Sequence, residues 1–131
     1  MTTTLATTRT AIATAIQGAG YKAHAYPPPT VIPPAVVIVP DQPYLRLETI
    51  GNPGTRVAAR FELIVCVAAL DNQAQLDNLE LIAIDVLQVL PQGTAVGDIE
   101  RPTVEQVGPS SLLTLRIPIE VRATLTATPA P

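Results

Sequence analysis

The stretch RVAARFELIVCVAALDNQAQLDNLELIAIDVLQVL, residues 56–90, decides the fold of this chain. In its first half Val57, Ala59, Phe61, Leu63, Val65, Val67 and Ala69 fall at every second position, which puts them on one face of a strand over 56–70. The other face begins with Arg56, Arg60 and Glu62 and turns apolar at Ile64, Cys66 and Ala68. The far half is therefore expected to be covered on both sides, as a central strand.

The second half changes period. At about 100° per residue, Leu76, Leu79, Ile82, Ala83, Val86, Leu87 and Leu90 form one broad stripe of a helix over 72–90 that packs on the sheet. Asp71 is placed to cap its free N–H groups, and Pro91 and Gly93 stop it. Leu81 and Ile84 lie on the opposite side, among Asp77, Asn78, Asp85 and Gln88. They read either as ordinary apolar surface or as a subunit contact.

Upstream, Leu5, Ile12 and Ile16 recur at helical spacing, Thr3 or Thr4 can cap, and Gly18 and Gly20 are stop signals. The threonine-rich composition is poor in helix propensity, so this helix depends on packing. A short strand over 21–26 follows. Residues 27–53 hold eight of the fourteen prolines and read as a rigid connector, with a short apolar strand at 35–39 and another strand at 44–50. Gly51-Asn52-Pro53-Gly54-Thr55 is then a hairpin turn into the long strand, with a tip that can project.

Downstream, 91–102 reads as a loop, 103–107 as a short strand, Gly108-Pro109-Ser110-Ser111 as a turn and 112–126 as a second long strand. There Leu113, Leu115, Ile117, Ile119, Val121, Ala123 and Leu125 alternate with Thr114, Arg116, Glu120, Arg122 and Thr124. Pro118 cannot donate a ladder hydrogen bond, which argues for an edge position or a bulge. The fold class is an α/β (α+β) two-layer arrangement: a mixed, mostly antiparallel sheet with two helices packed on it. Residues 1–126 form one domain and 127–131 a frayed tail.

The formal charge of −3 disfavours a nonspecific phosphate-binding surface. Acids cluster on the helix, as a solvated face or as a surface that repels a polyanion. Cys66 is the only cysteine, so no intramolecular disulfide forms, and its place in the strand suits an inert core thiol. Neither a signal peptide nor a membrane-spanning helix is expected, since prolines break the uncharged segment 23–40.

No catalytic set is legible. With His24 as the one histidine, a four-ligand zinc site cannot be built from Cys and His, and no carboxylate loop has calcium or magnesium spacing. Ser110 and Ser111 lack a nucleophile setting, and Asp77 with Glu80 lies toward the wet face, where no burial raises a carboxyl pKa. No cofactor is expected, and a structural or binding protein remains.

The order of elements carries a resemblance. A helix ending near Gly20 leads through "PPAVVIVP" and "PYLRLETIG" to the strand "RVAARFELIVCVAAL", the acidic helix "DNQAQLDNLELIAIDVLQVL" and the closing strand "LLTLRIPIEVRATL". This layout, over nearly the whole chain, resembles the tail terminator proteins of long-tailed (siphovirus-type) bacteriophages, particularly those of actinobacteria. The resemblance implies a virion protein, made in the host cytoplasm, that forms a homohexameric ring on the head-proximal end of the tail. The ring stops polymerisation of the major tail tube protein and joins the head-tail connector, while genomic DNA passes without specific binding. It has no catalytic residues to carry over.

On that reading Leu81, Ile84, Arg116, Glu120 and Arg122 are candidate subunit-interface residues. Asp77, Glu80, Asp85, Asp98 and Glu100 are candidate channel-lining acids, and Asn52 and Pro53 candidate contacts to the tube or connector. The alternatives are a head-tail connector or other minor tail protein, and a small peptide- or ligand-binding module that uses the proline-rich connector and the hairpin tip.

Overall fold

The computed structural model describes residues 4–26, 32–49, 54–69, 73–107 and 110–125. In chain order the elements are α1 (Leu5–Gly18), β1 (Lys22–His24), β2 (Ala35–Thr49), β3 (Thr55–Ala68), α2 (Gln73–Val89), β4 (Ala95–Val96), β5 (Thr103–Val107) and β6 (Ser110–Leu125). The six strands make one mixed sheet in the order β1-β2-β3-β6-β4, with β5 also paired to β6. β1 runs parallel to β2, and every other pairing is antiparallel.

β3 is central, as its alternation predicts, and is paired along its whole length with β6, from Thr55 opposite Leu125 to Ala68 opposite Leu112. Its odd-numbered face meets the two helices. Ala59, Phe61, Leu63, Val65 and Val67 join Leu115, Ile117 and Ile119 of β6, Val36 and Ile38 of β2, Ile12 and Ile16 of α1, and Leu79, Ile82 and Val86 of α2 in one buried cluster. Among the described residues, helices on one face and none on the other make an α+β fold of two layers.

α1 begins as its threonines suggest. The Thr4 hydroxyl accepts from the Thr7 N–H at 3.2 Å, and the Thr7 hydroxyl accepts from the Thr4 N–H at 2.9 Å. This reciprocal cap satisfies two donors at the helix start. Past the end of α1, Gly20 takes φ +96°, a conformation that glycine adopts without the Cβ penalty. The proposed cap Asp71 of α2 lies outside the described residues, as do the 127–131 tail, the turn residues Gly108 and Pro109, Pro27 to Pro29, and the hairpin tip with Asn52 and Pro53.

Several expectations change. The strands expected at 35–39 and 44–50 are one strand, β2, with a register shift between Pro40 and Leu45. Proline forbids a regular ladder through Pro40 and Pro43, so the chain bulges and then resumes pairing with β3. The strand expected over 21–26 shortens to three residues. The loop over 91–102 contains β4, and Ser110 and Ser111 are strand residues opposite Val107 and Gln106 rather than turn residues.

Pro118 sits in a strand paired on both sides and without a register shift against β3, rather than at the expected edge or bulge. It falls in the gap between the β5 pairing, which reaches Thr114 of β6, and the β4 pairing, which begins at Ile119, and the Gly97 N–H donates to the Pro118 carbonyl at 2.9 Å. In an antiparallel strand a residue's N and C=O point the same way, so the nitrogen without a hydrogen faces away from β3. No ladder bond to β3 is lost.

The α2 stripe is narrower than its sequence suggests. Leu79, Ile82, Ala83 and Val86 are buried, while Leu76, on the flank of the stripe in the first turn, is 39% exposed. The cover expected over the even face of β3 is also partial. Cys66 is buried, but Ile64 and Ala68 are only half-buried.

Candidate functional site

The even-numbered sheet face, opposite the helices, carries a ladder of ion pairs. The centre is Arg116 of β6, whose Nη1 donates to Glu62 of β3 and whose Nη2 donates to Glu105 of β5, both at 2.5 Å. The bond to Glu105, and that to Glu62 after it, holds the guanidinium above its ordinary pKa against the opposing effect of burial. Around it Arg60 approaches Asp41 at 3.6 Å, Arg46 approaches Glu120 at 3.6 Å and Arg122 approaches Glu48 at 3.5 Å. The last three are long pairs, with Arg46 and Arg122 exposed and Arg60 and Asp41 half-buried, and contribute little to stability.

Arg116 and Glu62 also line an open groove of about 490 Å³, with Asp98, Glu100, Arg101, Thr103, Glu105, Thr114 and Pro118. At its floor the buried Thr114 hydroxyl donates to the Thr103 carbonyl at 3.2 Å. Among the described residues no group of three or more His, Cys, Asp or Glu side chains is arranged to hold a metal ion. Cys66 is buried under the same sheet face, and desolvation first, then the charge of Glu105, pushes its thiol up to about 11. A thiol that stays protonated at neutral pH is a poor nucleophile.

The candidate channel acids do not form one surface. Asp77 and Glu80 are exposed on α2, on the helix side of the sheet, whereas Asp98 and Glu100 line the groove with residues of the opposite face. Asp85, expected at a wet surface, is half-buried and accepts a hydrogen bond from the Tyr21 hydroxyl. That bond, helped by burial and by the carboxylate charge, raises the Tyr21 pKa. It ties α2 to the turn between α1 and β1.

The candidate interface residues also divide. Arg116 is held by two short ion pairs with which an intersubunit role would compete, whereas Glu120 and Arg122 make only long pairs, at 3.6 and 3.5 Å. Leu81 and Ile84 have no such competition: they are 58% and 53% exposed on the outer face of α2. The far end of the sheet matches them, with Leu45 at 38% and Leu47 at 58% exposed.

One cluster was not legible in the sequence. Arg9 of α1 donates to the Tyr44 hydroxyl at 2.6 Å, and its guanidinium lies 4.8 Å from the Tyr26 ring centre and 5.7 Å from that of Phe61. Tyr44 packs edge-on against Phe61 at 5.7 Å. The group closes the core where β2 bulges, and only the position of Arg9 as the one charge in a threonine-rich helix hinted at it. No helix among the described residues is long and apolar enough to cross a membrane. The chain matches no protein-family model and no curated protein.

Proposed function

We propose that this chain is a structural assembly protein, a tail terminator of a long-tailed bacteriophage, rather than an enzyme. The observation that carries the reading is a finished core beside unburied aliphatics: two helices close one sheet face, yet Leu81, Ile84 and Leu47 stand out on rigid elements. Apolar side chains held on a helix and a strand suit a repeated protein contact. The order of elements, which resembles that of tail terminators, supplies the identity of the assembly.

In this role copies form a ring at the head-proximal end of the tail, stop growth of the tube and present a surface to the head connector. DNA must then pass. A duplex carries one charge per ~1.7 Å, so a basic lining would retain it, whereas a lining bearing Asp98 and Glu100 would not. The connector reading shares the fold and the ring but not the arrest of tube growth.

The test is addition of the purified chain to polymerising tail tube protein from the same phage. Rings seen by electron microscopy on tube ends, with tube length arrested, are expected. Unchanged tube growth with the chain bound at the connector would favour the connector reading. Tight duplex binding at physiological salt would overturn both.

A further inference from the structure

The three long strands do not end together with the helices. At one end of the sheet, residues 45–49 of β2, 55–59 of β3 and 121–125 of β6 form a three-stranded wing whose middle strand is buried at Val57, Ala58 and Ala59, with Leu45 opposite Ala59, Leu47 opposite Val57, and Val57 opposite Ala123. On its helix-side face Val57 is buried within the chain, whereas Leu45 and Leu47 on the outer strand are exposed and Ala123 and Leu125 half-buried. Both outer edges of the wing are open among the described residues. β1 pairs only with residues 35–37 of β2, and β4 reaches no further along β6 than Glu120.

The charges of the wing and of α2 are opposite. The wing carries Arg46, Arg56 and Arg122 against the single acid Glu48, whereas residues 73–100 carry Asp77, Glu80, Asp85, Asp98 and Glu100 with no Lys or Arg. Arg46 and Arg122 stand on the two edge strands, and their ion pairs at 3.6 and 3.5 Å leave most of each guanidinium unengaged. Long arginine side chains can turn over a sheet edge while their stems cover apolar surface. On α2, Asp77, Leu81 and Ile84 fall on one strip, with Glu80 beside it. The apolar group at 96–104 is a poorer match, because Arg101 lies within it and Glu105 is already held by Arg116.

We infer that the wing of one copy docks on the outer face of α2 of a second copy, with Leu45 and Leu47 against Leu81 and Ile84 and the wing arginines against Asp77 and Glu80. Because the two patches differ and lie on different parts of the domain, the contact is heterologous. It repeats head to tail and closes into a ring. This rests on the ring-forming reading above and names the two surfaces that make the ring.

The test uses the full chain, in which Cys66 is the sole cysteine and is buried. Chains carrying Leu47→Cys are mixed with mass-tagged chains carrying Ile84→Cys and treated with a short bismaleimide at neutral pH, with native mass measured in parallel. The mixed dimer should dominate, and a chain carrying both substitutions should give a ladder that ends at the number of copies in the ring. Arg46→Glu with Arg122→Glu should cut the mixed product roughly tenfold, and Asp77→Lys with Glu80→Lys in the partner should restore it.

Dimers formed mainly between identical variants would overturn the inference in favour of a two-fold contact. Oligomers by native mass without the mixed cross-link would overturn the wing contact and leave the ring reading standing. A monomer at the highest soluble concentration, without cross-links, would overturn both.

Discussion

Along β3 one alternation of side chains runs from Val57 to Val67, but its two ends meet different surroundings. From Ala59 onward the odd residues lie under α1 and α2, in a cluster closed at its margin by Arg9, Tyr44 and Phe61. At Val57 the flanking strands carry Leu47 and Ala123, and Leu47 is largely exposed. The pattern that specifies an apolar face is the same at both ends; what covers that face differs. At the helical end it is the chain's own helices; at the wing Val57 is covered within the chain, and the cover of Leu45 and Leu47 we assign to a second copy.

The sharpest way to break this contrast is a charge at the helical end. Leu79→Asp places an unpaired carboxylate in a fully buried site of α2, and we expect a loss of more than about 4 kcal/mol, enough to unfold the domain. A cooperative melt of soluble Leu79→Asp protein would contradict the packing of α2.

The charged face is expected to be less sensitive. Arg116→Ala strands Glu62 and Glu105, and because all three groups are partly exposed the cost should be about 1–2 kcal/mol by denaturant titration. Thr4→Ala, which removes the helix cap, should cost about 1 kcal/mol. At the wing, Leu47→Ser should change monomer stability by less than about 0.5 kcal/mol while shifting the native mass from the ring toward the monomer. A large destabilisation there would mean that the wing is covered within its own chain.

The smallest effect is one of pH. The thiol of Cys66 has its pKa raised to about 11 by burial, and the Tyr21 hydroxyl is raised by its bond to Asp85. An acid whose pKa is higher folded than unfolded favours the fold fully below its unfolded value. That contribution is lost as pH rises through the folded one. Stability should therefore fall from about pH 8.5 upward, first through Cys66 and then through Tyr21. Cys66→Ala should flatten the first part of the fall and Tyr21→Phe the second, each read from the slope of stability against pH.

What the sequence by itself determined is local and periodic. Alternation over 56–70 and 112–126 placed the two long strands and their core faces, and the period of 72–90 separated Leu79 and Val86 from Leu81 and Ile84. Both signals depend on side chains a few residues apart, so they survive in a linear reading. The merging of two expected strands into β2 was not legible, because proline marks a break in hydrogen bonding and the partner β3 decides whether pairing resumes beyond it.

Only the tertiary structure decided the polar partners. Arg116 and Glu62 are 54 residues apart, and Tyr21 and Asp85 are 64 apart. No local pattern marks either pair, since a charged side chain on a strand reads as solvated until the neighbouring strands are in register. The tertiary structure likewise divided the acids between two faces of the molecule. It also set the wing apart from the core, because where a helix ends over a sheet depends on how the layers pack and not on the alternation beneath them.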